Sequence, residues 1–284
     1  MSRRAFLHSC VALALLAGLP AAAAAASPKL SRISVTVRGS GPDVVLIPGL
    51  SASRGVWSST VAAVPGYRYH LVQVAGFAGS PAGGNARGPV AASAAEEIAT
   101  YIVANRLERP AIVGHSMGGS IAMMIAARHP RLPGKVMVVD MVPAPARLFG
   151  TSAGALRPVA KLLGHEIIGA DRLRRDLQAS IARFGHADWL QSRSDAGVIG
   201  RSLEELLSTD LTPELPRIAA PLTVVYACPE PLNLSKARVG RLYASAYARR
   251  PGTHLIPVER SGHTIMWDQP GAFRNALRTF LAQR

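Results

Sequence analysis

Two cysteines in 284 residues, Cys10 and Cys228, leave almost nothing for disulfide or thiol chemistry. With no Cys-x-x-Cys pair and no His/Cys cluster, nothing is spaced as a zinc, haem or dithiol site, and no metal is expected. Aromatic residues are scarce at 5%, and no basic run is interleaved with them, so nucleic-acid binding by base stacking has no support. Neither a Gly-rich phosphate loop nor a dinucleotide fingerprint is present, and no cofactor is implied. Acidic residues are also few, 17 against 32 Lys and Arg, for a net charge of +15.

Long apolar runs are missing except near the N-terminus. There Ser2-Arg3-Arg4-Ala5-Phe6-Leu7 precedes the run Val11 to Leu19, then Pro20 and six alanines ending at Ala26. A basic start, a short apolar stretch and small residues before a cleavage point make an export signal, too short to anchor in a bilayer. Residues 1–26 are therefore expected to direct the chain to the periplasm or outside the cell, and the paired arginines resemble a twin-arginine signal. The remaining chain would keep only Cys228, so it has no internal disulfide despite an oxidising destination. Removing Arg3 and Arg4 leaves 30 basic residues against 17 acidic ones. The segment Pro143 to Pro216 is balanced at 9 of each, so the surplus lies in the flanking parts. That charge fits loose association with an anionic envelope surface, but a plain soluble basic surface is the preferred reading.

From Ser27 onward the hydrophobic pattern alternates between strands and helices. Ile33 to Arg38 alternates like a half-buried strand, and Val44 to Ile47 is a continuous apolar run suited to a central one. Strands are also expected at Tyr69 to Val74, from Ala111, at Lys135 to Asp140, at Leu222 to Ala227 and at His254 to Val258. Helices are expected near Val56 to Val64, Val90 to Leu107, Ser120 to Arg128, Ser235 to Arg249 and Pro270 to Gln283. Such alternation with apolar strands means an α/β fold, a mostly parallel central sheet flanked by helices. Between Pro143 and Pro216 the rhythm breaks. Helical stretches near Leu156 to Leu163, Arg172 to Phe184 and Val198 to Leu207 follow one another without a strand, the pattern of a helical cap inserted at 143–216 between core parts 27–142 and 217–284.

The chain is organised around Val113-Gly114-His115-Ser116-Met117-Gly118-Gly119. An apolar strand turns at once into a helix here, and side chains two positions either side of the corner would collide with it. Gly114 and Gly118 are explained sterically. The corner lifts the Ser116 hydroxyl clear of the sheet and aims the Met117 N–H, at a helix N-terminus, toward the place where an oxyanion would form. A serine hydroxyl is a weak nucleophile near neutral pH and needs a general base with a group to orient it. Of the 8 histidines, His8 leaves with the signal, and His115 neighbours Ser116 on a turn where adjacent side chains diverge. His263 stands in the loop after the last strand and before the last helix, where the strand ends of a parallel sheet gather ligands, and is the expected base.

These residues together resemble the α/β-hydrolase superfamily: the elbow Gly114 to Gly119, the loop Pro48-Gly49-Leu50, Gly76-Phe77-Ala78-Gly79-Ser80, and Ser261-Gly262-His263 with Asp268-Gln269-Pro270. The resemblance runs from Ile33 to Arg284, with the insertion where that family carries its cap. It implies Ser116 as nucleophile, His263 as base, and an oxyanion hole from the N–H groups of Leu50 and Met117. The acid departs from the pattern. The family usually places it after the strand that follows the cap, and the only carboxylate in Tyr226-Ala227-Cys228-Pro229-Glu230-Pro231 is Glu230. The rival is Asp140, ending the strand after the elbow helix, a position some relatives use. Glu230 is preferred and Asp140 kept as the alternative. Asp268 is expected to cap the closing helix, Asp210 and Glu214 to be solvated, and Cys228 to be buried filler.

The expected activity is hydrolysis of a small-molecule carboxylic ester through an acyl-enzyme. Thioester, lactone or carbon–carbon hydrolysis, acyl transfer and perhydrolysis use the same constellation, and a non-catalytic binder could be built on the same fold. Cap residues such as Leu156, Leu162 and Ile167 either wall an apolar pocket or dock the cap to the body.

Overall fold

The structure is a computed structural model, described here for residues 30–155, 193–228 and 235–283. The expected signal, the cap helices Leu156 to Leu163 and Arg172 to Phe184, and Glu230 lie outside the described residues.

Seven strands form one sheet: β1 (Ile33–Arg38), β2 (Asp43–Ile47), β3 (Arg68–Val74), β4 (Ala111–His115), β5 (Lys135–Val139), β6 (Leu222–Cys228) and β7 (His254–Glu259). Their spatial order is β1-β3-β2-β4-β5-β6-β7. Only the edge strand β1 runs antiparallel, pairing Ile33 with Val74 and Arg38 with Tyr69; the other neighbours are parallel. The helices of the described residues are α1 (Ser58–Ala63), α2 (Ala91–Ala104), α3 (Met117–Arg128), α4 (Ala196–Ser208), α5 (Lys236–Ala246), α6 (Ile265–Asp268) and α7 (Pro270–Ala282).

The period-2 alternation of the strands divides the core into two apolar layers. Val45 and Ile47 of β2 face Ile98 of α2 and Ile121 of α3, with Tyr243 and Tyr247 of the α5 region in the same layer. Val44 and Leu46 face the opposite way, onto Trp57, Phe273, Leu277 and Phe280. Central strands are apolar on both faces because helices cover both, which is why they read as continuous runs.

The two ends of the expected insertion meet at one neck, where the Leu211 N–H donates to the Pro143 carbonyl at 2.9 Å. Two carboxylates expected to be solvated instead tie this neck down. Glu214 takes a two-point ion pair from Arg128 at 3.0 and 3.1 Å, and Asp210 pairs with Arg147 at 3.2 Å. Helix α4 docks on the body through Glu205, whose carboxylate accepts the N–H groups of Val90, Ala91 and Ala92 at 2.6 to 2.8 Å. Those donors open α2 and have no partner within it, so a negative charge there satisfies them and the helix dipole together. The closing helix also departs from expectation: its N-cap residue is Gln269, and Asp268 ends the short helix α6.

Candidate active site

β4 ends at His115 and α3 begins at Met117, so Ser116 alone makes the corner. It holds φ 54° and ψ −124°, a conformation that costs a non-glycine residue on the order of 1–3 kcal/mol and survives only where its surroundings enforce it. Here the Ser116 N–H donates to the Val139 carbonyl at 2.9 Å, and the Ser116 carbonyl accepts from Gly119 and Ser120 at 2.7 and 3.2 Å. A side chain at Gly114 would place its Cβ 2.0 Å from the Gly118 carbonyl oxygen; one at Gly118 would lie 2.3 Å from that of Ile47. The corner can be this tight only with glycine on both sides.

The loop Pro48-Gly49-Leu50 leaves the end of β2 and passes against the nucleophile: a Cβ at Gly49 would sit 3.0 Å from the Ser116 Cβ and 3.1 Å from His115 Nδ1. The next residue, Ser51, is buried with φ 61°, and its hydroxyl lies 2.9 Å from that of Ser194. Ser194 also accepts the Ala78 N–H at 2.8 Å, while the Asp195 N–H donates to the Gly76 carbonyl at 2.7 Å. The segment returning at Ser194 and Asp195 is thereby latched both to the loop that passes Ser116 and to the loop Gly76 to Ser80. Ser194 was not singled out in the sequence, since a serine 143 residues from its partner leaves no local pattern.

His263 stands in the loop between β7 and α6, and its Nδ1 is 2.7 Å from Asp140 Oδ2. Asp140 immediately follows β5 with φ 50°, and its N–H donates to the Val225 carbonyl at 2.8 Å. Its other oxygen, Oδ1, accepts the Ala227 N–H at 2.8 Å and the Tyr243 hydroxyl at 2.9 Å. Burial pushes the Asp140 carboxyl up, but the His263 bond and charge, the Ala227 N–H and the Tyr243 hydroxyl outweigh it, and the net shift is downward. The carboxylate is therefore ionised at neutral pH. A carboxylate on Nδ1 fixes the neutral imidazole with its proton there and its lone pair on Nε2. Of the two candidate acids it is therefore Asp140, the alternative, that the described residues bring to His263 Nδ1; Glu230, the preferred one, lies outside them. The side chains of His263 and Asp140 are 27% and 13% exposed, so the pair opens to solvent from the histidine side.

His115 lies beneath this pair. It is buried, its ring centroid is 4.8 Å from that of His263, and its Nε2 donates to the His263 carbonyl at 2.9 Å. Burial, reinforced by the His263 charge, pulls its pKa from 6.5 down to about 3, so it stays neutral. Cys228, at the end of β6, is buried, and burial pushes its thiol up, away from thiolate chemistry.

A profile described as the alpha/beta hydrolase family matches residues 44–276. The chain belongs to that family. The hydrolase is 27% identical over 267 residues to a pimeloyl-[acyl-carrier protein] methyl ester esterase of Aeromonas hydrophila, covering 88% of this chain and 99% of the relative. Among solved structures it is similar to an esterase from Exiguobacterium antarcticum, with a TM-score of 0.70 at 20% identity over 89% and 96% of the two chains. An enol-lactonase from Burkholderia xenovorans gives 0.69 at 19% identity over 88% and 96%. At such identities the two structures share the fold, and the site chemistry of this hydrolase rests on its own residues.

Proposed function

We propose that this hydrolase cleaves carboxylic esters through an acyl-enzyme on Ser116, with His263 as general base and acid and Asp140 as the orienting carboxylate. The observation that carries the reading is the 2.7 Å bond from His263 Nδ1 to Asp140 Oδ2, formed beside a serine held at φ 54°. His263 Nε2 takes the Ser116 proton as Oγ attacks the ester carbonyl carbon, and the N–H groups of Met117 and Leu50 stabilise the resulting oxyanion. The C–O bond to the leaving alkoxide then breaks as His263 returns the proton, releasing the alcohol. Water attacks the acyl carbon with His263 again accepting a proton; Ser116 Oγ leaves and is reprotonated, freeing the acid. The relative from Aeromonas hydrophila, whose name gives a methyl ester as its substrate, supports an ester over the other bonds this constellation cleaves. Stopped-flow hydrolysis of p-nitrophenyl acetate tests the reading. A nitrophenol burst stoichiometric with enzyme and absent from Ser116→Ala is expected; turnover unchanged in Ser116→Ala would refute it.

Export is proposed on the sequence of residues 1–26 alone. The full chain is expected in the periplasmic or secreted fraction, and Arg3→Lys with Arg4→Lys is expected to hold it in the cytoplasm. Unchanged fractionation would remove the twin-arginine route.

A further inference from the structure

Asp140 stands where a strand ends in the left-handed region, φ 50°, and its carboxylate must be held in plane with the His263 ring to fix the tautomer. Oδ2 takes the imidazole; the orientation of the group is decided by what holds Oδ1. Among the described residues two donors reach it. One, the Ala227 N–H at 2.8 Å, belongs to the sheet. The other is a side chain from outside the sheet, the Tyr243 hydroxyl at 2.9 Å, carried on α5.

That phenol is itself fixed. Its ring stacks on Tyr226 of β6 with centroids 4.3 Å apart and planes 18° from parallel. Tyr226 finds room for its own hydroxyl because α5 carries Gly240 there; a Cβ at that position would lie 3.3 Å from the Tyr226 oxygen. The Tyr243 side chain is buried, with 8% of the residue exposed. Burial and the Asp140 charge push its hydroxyl well above the ordinary tyrosine range, so it remains a proton donor at every working pH.

We propose that Tyr243 is a positioning residue of the hydrolase: its buried hydroxyl, fixed by the Tyr226 stack, holds the Asp140 carboxylate in the plane that orients His263. The inference rests on the reading of Asp140 as the triad acid. The device accompanies the acid's placement after β5. There the carboxylate is flanked by β6 and α5, and a hydroxyl from α5 adds a second hydrogen bond to its far oxygen.

The bond also draws charge away from Oδ2. Without it the full carboxylate charge faces His263, which favours the imidazolium. Among the described residues, the titratable groups that act on Asp140 or feel its charge are His263 from the β7–α6 loop, Tyr243 and Tyr247 from α5 and its end, Cys228 from the end of β6, and His115 from the end of β4.

The test is a double-mutant cycle on the full mature protein with p-nitrophenyl acetate, using Tyr243→Phe, Asp140→Asn and the double variant. Tyr243→Phe keeps the stacked ring and removes one oxygen; thermal unfolding confirms that it folds. The expected result is a loss of about tenfold in kcat with KM little changed, the scale of one charge-assisted hydrogen bond. The acid limb of the kcat/KM profile should move to higher pH. In the Asp140→Asn background the same change should be nearly silent, because there is no longer a carboxylate to hold. An equal loss in both backgrounds with an unmoved acid limb would make Tyr243 a packing residue only and overturn the proposal. Full activity in Tyr243→Phe beside collapse in Asp140→Asn would overturn it while leaving Asp140 as the acid. Full activity in Asp140→Asn would remove the reading on which it rests.

Discussion

Replacing Asp140 with Asn keeps the shape of the side chain and removes one acceptor, and the structure shows which one. Among the described residues, Oδ1 takes two donors, the Ala227 N–H and the Tyr243 hydroxyl, while Oδ2 takes one, from His263. If the Asn oxygen stays toward His263, its NH2 meets the Ala227 N–H, and a buried donor left unpaired costs about 1–3 kcal/mol. If the amide turns over, both donors on the Oδ1 side are satisfied and the NH2 faces His263 Nδ1. The second arrangement is the stable one. It forces the imidazole to carry its proton on Nε2, so the nitrogen assigned to take the Ser116 proton can no longer accept. A triad in the wrong tautomer loses about ten-thousandfold in kcat, or roughly 5.5 kcal/mol of barrier. The assay is kcat and KM for p-nitrophenyl acetate with thermal unfolding alongside, since the turned amide leaves the fold intact. Glu230→Gln is expected to remain near the parent. A folded Asp140→Asn enzyme within about tenfold of the parent would refute the tautomer argument and return the acid role to another carboxylate.

His115 is neutral when folded, with a pKa of about 3 against 6.5 for a free histidine. The unfolded chain therefore binds the extra proton first: the stability is complete above pH 6.5 and erodes as pH falls toward 3. At about 1.4 kcal/mol per pKa unit the loss reaches several kcal/mol. His115→Gln, which keeps a donor for the His263 carbonyl, should flatten the melting temperature between pH 4 and pH 7; an unchanged slope would contradict the assignment. Ser194→Ala removes the hydroxyl that joins Ser51 to the Ala78 N–H and should lower stability by about 1–2 kcal/mol in urea titration. Because Ser51 follows Leu50, kcat should fall with it, and full kcat would separate the latch from the oxyanion loop. Glu205→Ala leaves three N–H groups at the start of α2 without their acceptor and should cost about 2 kcal/mol in urea midpoint while kcat holds. A midpoint equal to the parent's would show that water serves those donors as well.

The sheet and the elbow were legible because their causes are local. Two-sided apolar strands declare a covered parallel sheet, and two glycines around a serine between strand and helix declare a corner that nothing else fits. The carboxylate that meets His263 was not legible. Asp140 and His263 are 123 residues apart, and their contact depends on which strand ends lie together. One signal was present: β5 neighbours β4 in the sheet, and the Ser116 N–H bonds to the Val139 carbonyl, so the residue after Val139 stands next to the nucleophile. Reading that signal requires the strand order, which single-sequence periodicity does not supply. The same holds for Glu205 on the start of α2 and for Glu214 on Arg128, where a carboxylate's partner lies far along the chain. Local rules place such a group at a cap or in solvent; tertiary contact overrides them.

The central claim, an activated serine at Ser116, is tested most directly by a fluorophosphonate probe on the purified mature protein beside Ser116→Ala. Rapid labelling of the parent, one adduct per chain located on the peptide containing Ser116 and absent from Ser116→Ala, is the predicted result. A folded parent that labels no faster than Ser116→Ala would contradict the account.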